Sequence, residues 1–207
     1  MLLVFPIKNA KEPRSLWSEL FPRSKMKWEW DDNGDNRVAK LWHLMKRLSD
    51  CREVIYSKWY QGRATFFSIE LFKALLNFSN SIDSSTHLSH TALQVLEVLE
   101  ADSPLSTKEL KKMAGLQGKL NEGTYSRSTK ELFRNFAIVA FGEVDDGAFP
   151  SLCLGATKLL YEDIWNEARA MTLEEATAIV DQFMPRGSLG RKYLERVSKF
   201  PSPSSFK

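Results

Sequence analysis

Residues 105–154 read LSTKELKKMAGLQGKLNEGTYSRSTKELFRNFAIVAFGEVDDGAFPSLCL, and the order of elements in this stretch decides the fold. Ser106 stands at a helix N-cap position, Glu109 follows three residues later to return the hydrogen bond, and Gly115 ends the short helix. A second helix is expected over about 123–135, turning Leu132, Phe133 and Phe136 toward a core. AIVAFGEVDDGAFPSLCL then reads as a strand, an acidic turn around Gly147, and a returning strand. Upstream, a helix over 91–100 carries Ala92, Leu96 and Leu99 on one stripe, with Thr91 and Gln94 as its expected capping box. Three helices followed by a hairpin is the order of a winged helix-turn-helix, assigned to residues 88–155.

Working outward, EVIYSKWYQGRATFFS (53–68) is dense in β-branched and aromatic residues and is interrupted by Gln61-Gly62. Glycine supplies the positive φ of a tight reversal, so a β-hairpin is expected. Before it, Val38, Leu41, Trp42, Met45 and Leu48 recur at three and four residues and predict a one-sided helix over 37–50. After it, a helix is expected over 69–77, making 37–80 a helix-hairpin-helix unit that also resembles a winged helix. The Ser-, Asn- and Asp-rich stretch 77–89 reads as a linker between units. Residues 1–36 read as an irregular arm with packed tryptophans, 156–200 as a helical segment with a Thr172/Glu175 capping box, and 201–207 as a frayed tail. The fold class is α+β, mostly helical, with tandem winged helix-turn-helix units and short β-hairpins.

The composition, 43% hydrophobic and 27% charged, suffices for a packed core. The apolar start, Met1 to Ile7, is interrupted by Pro6 and lacks the positive flank of a signal peptide. No segment reaches the roughly 18 apolar residues of a membrane span. Cys51 and Cys153, with only His43, His87 and His90 beside them, have no metal-ligand spacing and read as reduced thiols. With no Gly-rich phosphate loop and no glycine-flanked serine, no metal or cofactor is expected. The expected location is cytoplasmic, nucleoid-associated.

The net charge of +3 is mild, but its distribution is uneven. Between Leu105 and Phe141 seven Lys or Arg face three acids, and between Arg37 and Lys73 eight face three. In a helix-turn-helix the second helix enters the major groove, while surrounding cations neutralise phosphates. The expected nucleic-acid contacts are therefore Lys111, Lys112, Thr124, Ser126, Arg127, Ser128, Lys130 and Arg134 on the second unit. Lys58, Gln61 and Arg63 at the first hairpin tip join them. Glu143, Asp145 and Asp146 put like charge on the second wing tip and should keep it off phosphates. Trp59 and Tyr60 read more readily as core than as base-stacking wedges.

LWHLMKRLSDCREVIYSKWYQGRATFFSIELF and LSHTALQVLEVLEADSPLSTKELKKMAGL resemble segments of small relatives of the AlkZ-like, winged-helix DNA glycosylases that unhook crosslinks. The resemblance covers about residues 37–155 and implies tandem winged helices that grip duplex DNA. Glycosylases of that group act through two glutamines separated by one residue, whereas this chain has Gln61, Gln94, Gln117 and Gln182 and no such pair. The reading is a non-enzymatic protein of double-stranded DNA, tied to repair or transcription. Two alternatives stand beside it: a glycosylase of alkylated or crosslinked bases relying on Gln61, and a protein-interaction scaffold.

Overall fold

Neighbouring residues on the central strands point to opposite faces of a sheet, as strand geometry requires, and here both faces are buried. The computed structural model describes residues 1–27, 35–80, 88–144 and 150–198. Its strands are β1 (Leu2–Leu3), β2 (Val54–Ser57), β3 (Thr65–Ser68), β4 (Leu105–Ser106), β5 (Ile138–Val144) and β6 (Ser151–Ala156). They form one antiparallel six-stranded sheet in the order β1-β3-β2-β5-β6-β4. Ile55, Phe67 and Val139 enter one apolar cluster, and Tyr56, Phe66 and Ala140 enter the other.

Helices cover each face. On the side of Tyr56 lie α2 (Asn36–Asp50), α4 (His90–Ala101), α5 (Thr107–Met113) and α6 (Glu122–Arg134). On the side of Ile55 lie α3 (Ile69–Asn80), α8 (Glu162–Ala170), α9 (Leu173–Phe183) and α10 (Leu189–Val197). The short α1 (Leu16–Leu20) and α7 (Thr157–Leu160) complete the described α-helices, and a 3-10 turn, Lys119–Asn121, leads into α6. The α+β class and the two hairpins expected from sequence are present, and the hairpins are not separate: Tyr56 of β2 pairs with Ala140 of β5 and joins them edge to edge.

Local chemistry sets the boundaries. Ser106 and Glu109 form the expected capping box of α5, and Thr172 and Glu175 that of α9. The N-cap of α4 is Ser89, whose side chain accepts from Ala92 N, rather than the expected Thr91/Gln94 pair; Ser89 wins because it is the last extended residue before the helix. The helical segment expected over 156–200 is interrupted early, at Tyr161, whose backbone (φ −135, ψ 49) leaves helical space. Trp42, expected in the stripe of α2, is 39% exposed. In the N-terminal arm Trp17 is buried and its Nε1 donates to the Ser24 carbonyl at 2.8 Å. Trp28, Trp30, His87 and the Asp145-Asp146 turn lie outside the described residues.

Candidate nucleic-acid interface

Tyr60, Gln61, Gly62 and Arg63 close the first hairpin. Arg63 N donates to the Tyr60 carbonyl at 3.0 Å, and Gln61 and Gly62 both have positive φ, +54° and +74°. Two central residues of positive φ are the signature of the hairpin turn whose twist matches the strands. Trp59 and Tyr60 are buried at its base. The Trp59 ring stacks on Phe136 at 5.5 Å and meets Tyr193 of α10 edge-on at 4.8 Å, and Tyr60 lies 4.8 Å from Tyr193. The aromatic pair is therefore a joint between the hairpin and α10.

That joint needs α10 to be held at a set angle. Arg191, whose side chain is 3% exposed, bridges to Asp181 of α9 at 2.9 Å and to Glu195 at 2.9 Å. Leu194 inserts into the core beside it. With its Tyr193 face turned inward, α10 presents Arg196 one turn on; the guanidinium carbon sits 5.1 Å from the Tyr193 ring centroid.

On α6 the buried face is Tyr125, Ser128, Thr129, Leu132 and Phe133. The helical period leaves Arg127, Lys130 and Arg134, spaced three and four apart, on the solvent side. Lys130 leans toward the hairpin: a methyl group added at Gly62 would sit 3.6 Å from its Cε.

These elements enclose an open cleft of about 490 Å³ lined by Lys58, Trp59, Gln61, Gly62, Lys130, Arg134, Tyr193, Arg196 and Val197. Four cations and no carboxylate line it. No ion pair ties Lys58, Lys130, Arg134 or Arg196 among the described residues. Such a wall concentrates positive potential and can hold a polyanion.

Not every expected contact lies there. Arg63 is exposed beside the cleft and Arg127 continues the Lys130 row, its Nη2 3.4 Å from Thr124 Oγ1. Ser128 is 3% exposed on the inward face of α6 and is out of reach of any partner. Thr124 and Ser126 are half-buried outside the cleft, and Lys112 is exposed on α5. Lys111 is committed elsewhere: its Nζ bridges to Glu122 at 2.7 Å and lies 4.9 Å from the Tyr125 ring centroid. Burial pushes the Tyr125 hydroxyl up to about 12. Arg196 is the contributor that the sequence reading did not assign to the interface.

Glu143 also departs from expectation. Rather than standing on the wing tip, it is half-buried, with Oε2 buried and without a hydrogen-bond partner among the described residues. A bulge in β5 between Ala140 and Glu143 turns it inward. Gly142 makes the bulge possible: its φ is +68°, and a Cβ there would lie 2.5 Å from Asp50 Oδ1. Burial, then the Glu143 charge, raises the Tyr56 hydroxyl well above its ordinary range. Burial lowers the Lys58 ammonium, against the opposing pull of Glu143.

The family model described as "AlkZ related" matches residues 1–192. The chain belongs to the AlkZ-related family. That membership extends the resemblance from the two central segments to nearly the whole chain, α9 and the start of α10 included. It also relates the chain to DNA-repair glycosylases. No curated protein and no solved structure matches. Of the four glutamines, Gln61 alone lines the cationic cleft of this AlkZ-related chain; Gln182 lines a different cavity, of mixed charge, between the N-terminal arm and the α9–α10 turn. Among the described residues no helix is long and apolar enough to cross a membrane.

Proposed function

We propose that the chain binds double-stranded DNA through the cleft between the first hairpin, α6 and α10, as a repair-associated protein that does not itself hydrolyse glycosidic bonds. The observation that carries this reading is the convergence of Lys58, Lys130, Arg134 and Arg196, from three separate elements, on one carboxylate-free wall. Lysine and arginine set on a concave surface neutralise phosphates and release counterions, which drives duplex binding. The order α4, α5, α6, β5, β6, with β4 paired to β6, supports a winged helix-turn-helix for the second half. The first hairpin between α2 and α3 supports its tandem partner.

A salt titration on plain, nicked and alkylated duplexes tests the reading. Submicromolar affinity at low salt that falls steeply with added salt is expected; salt-insensitive binding, or none, refutes it. The position of Gln61 on the cleft favours a second reading, glycosidic cleavage by a lone glutamine that orients water. Release of alkylated bases that is lost in Gln61→Ala would establish it and displace the first.

A further inference from the structure

Lys58 differs from the other cations of the cleft. Lys130, Arg134 and Arg196 are exposed, whereas Lys58 is half-buried at the end of β2. Burial lowers its affinity for a proton. Glu143, delivered by the β5 bulge, is the acidic charge acting on it. The residues that flank Lys58 carry buried polar atoms, Ser57 Oγ and Trp59 Nε1, without hydrogen-bond partners among the described residues, and Glu143 Oε2 is a third. Buried polar groups are nearly always satisfied, and of these three it is the Glu143 carboxylate whose charge acts on the lysine.

An amine that is partly desolvated and faced by other cations is the setting in which lysine becomes a nucleophile toward carbonyl groups. Lys130 and Arg134 from α6 and Arg196 from α10 line the same cleft as Lys58, and Glu143 is the charge that acts on both Lys58 and Tyr56. Their chemistry also chooses the carbonyl. Cationic walls select a phosphodiester chain, and the aldehyde that such a chain can carry is the ring-opened deoxyribose left when a base has been lost.

We propose that Lys58 captures abasic DNA by forming an imine with C1′ of the open sugar. The inference rests on the DNA-binding reading above. The Nζ lone pair adds to C1′, and the carbonyl oxygen takes a proton to give a carbinolamine. Loss of that oxygen as water, with the nitrogen giving up its remaining proton to solvent, leaves the C1′=Nζ bond. No oxidant or reductant is consumed, and hydrolysis returns free lysine and the aldehyde. Glu143 is a positioning residue that sets the proton affinity of the amine. The reaction that supplies this substrate is glycosidic hydrolysis by another enzyme, so the chain would act immediately after base removal.

The test uses the intact chain, a duplex with one abasic site, and borohydride, which reduces an imine to a stable amine. Each variant is compared at protein concentrations that saturate the duplex. A covalent protein–DNA band is expected, peptide mapping should place it on residue 58, and Lys58→Arg should reduce it at least tenfold. A duplex with a tetrahydrofuran in place of the sugar aldehyde should bind and give no band. Glu143→Gln should shift the pH profile of trapping to lower pH, because the carboxylate that favours the ammonium is gone; a merely structural role would leave the profile in place. Binding without trapping, or an adduct mapped to other residues, overturns the inference and leaves the DNA-binding reading standing. Trapping of free deoxyribose 5-phosphate on residue 58 without duplex binding overturns both the DNA reading and the abasic-DNA assignment.

Discussion

Lys130→Ala removes one of the four cations that line the cleft, and its effect can be worked through. Each neutralised phosphate contributes about −0.9 to the slope of log affinity against log salt, so four contacts give about −3.6. Raising salt from about 50 to about 200 mM should then weaken wild-type binding about 150-fold. With three contacts the slope falls to about −2.7 and the same change costs about 40-fold. Lys111→Ala is the comparison: that lysine lies outside the cleft and is already paired with Glu122, so its removal should leave the slope where it was. Fluorescence anisotropy with a labelled duplex at three or four salt concentrations reads both. An unchanged slope in Lys130→Ala, or an equal drop in Lys111→Ala, would refute the assignment of the cleft as the phosphate-binding surface.

Trp59→Ala should lower unfolding free energy by about 3–5 kcal/mol, because the ring is 1% exposed between Phe67, Phe136 and Tyr193; a urea midpoint within error of wild type would contradict that packing. Gly142→Ala should cost about 1–2 kcal/mol through backbone strain, given its φ of +68° and the close Asp50 oxygen, and chemical denaturation measures it. The Met1 amine is lowered by burial, then by Arg14, from 8.0 to about 6. Between those values the unfolded chain binds more protons than the folded one, so stability should rise with pH across the window. The full span is at most about 2.7 kcal/mol, and N-terminal acetylation should flatten the dependence; urea midpoints at pH 5.5 and 8.5 that agree in the unmodified chain would disprove the burial of that amine.

Much of the local structure could be read from residues alone because its signals are local. The Ser106/Glu109 and Thr172/Glu175 boxes, the stripe of α2 and the Gln61-Gly62 reversal each need only a few neighbouring side chains to define them. What escaped is non-local. The single Tyr56–Ala140 pairing that fuses the hairpins leaves no periodic trace in either strand. The inward turn of Glu143 depends on a bulge, for which an isolated glycine in a strand was the available hint. Ser128 could have been placed correctly: it falls three and four residues from Tyr125 and Leu132, on the face that packs. Three of the four cations of the cleft, Lys58, Lys130 and Arg134, were legible as charge excess on the hairpin and α6. Arg196 was not, since nothing in the sequence indicates that Tyr193 will seat α10 against Trp59 and Tyr60.

The brace of Tyr193 against the hairpin has a consequence for truncated chains. Without α10, one wall of the cleft is missing and the Trp59 ring loses a partner. On the proposed reading, a chain that stops before residue 189 lacks Arg196 and should bind DNA more weakly, and it leaves the Trp59 and Tyr60 rings without their Tyr193 contact. On that reading the hairpin and α6 supply an unfinished cradle, and α10 is the piece that closes it.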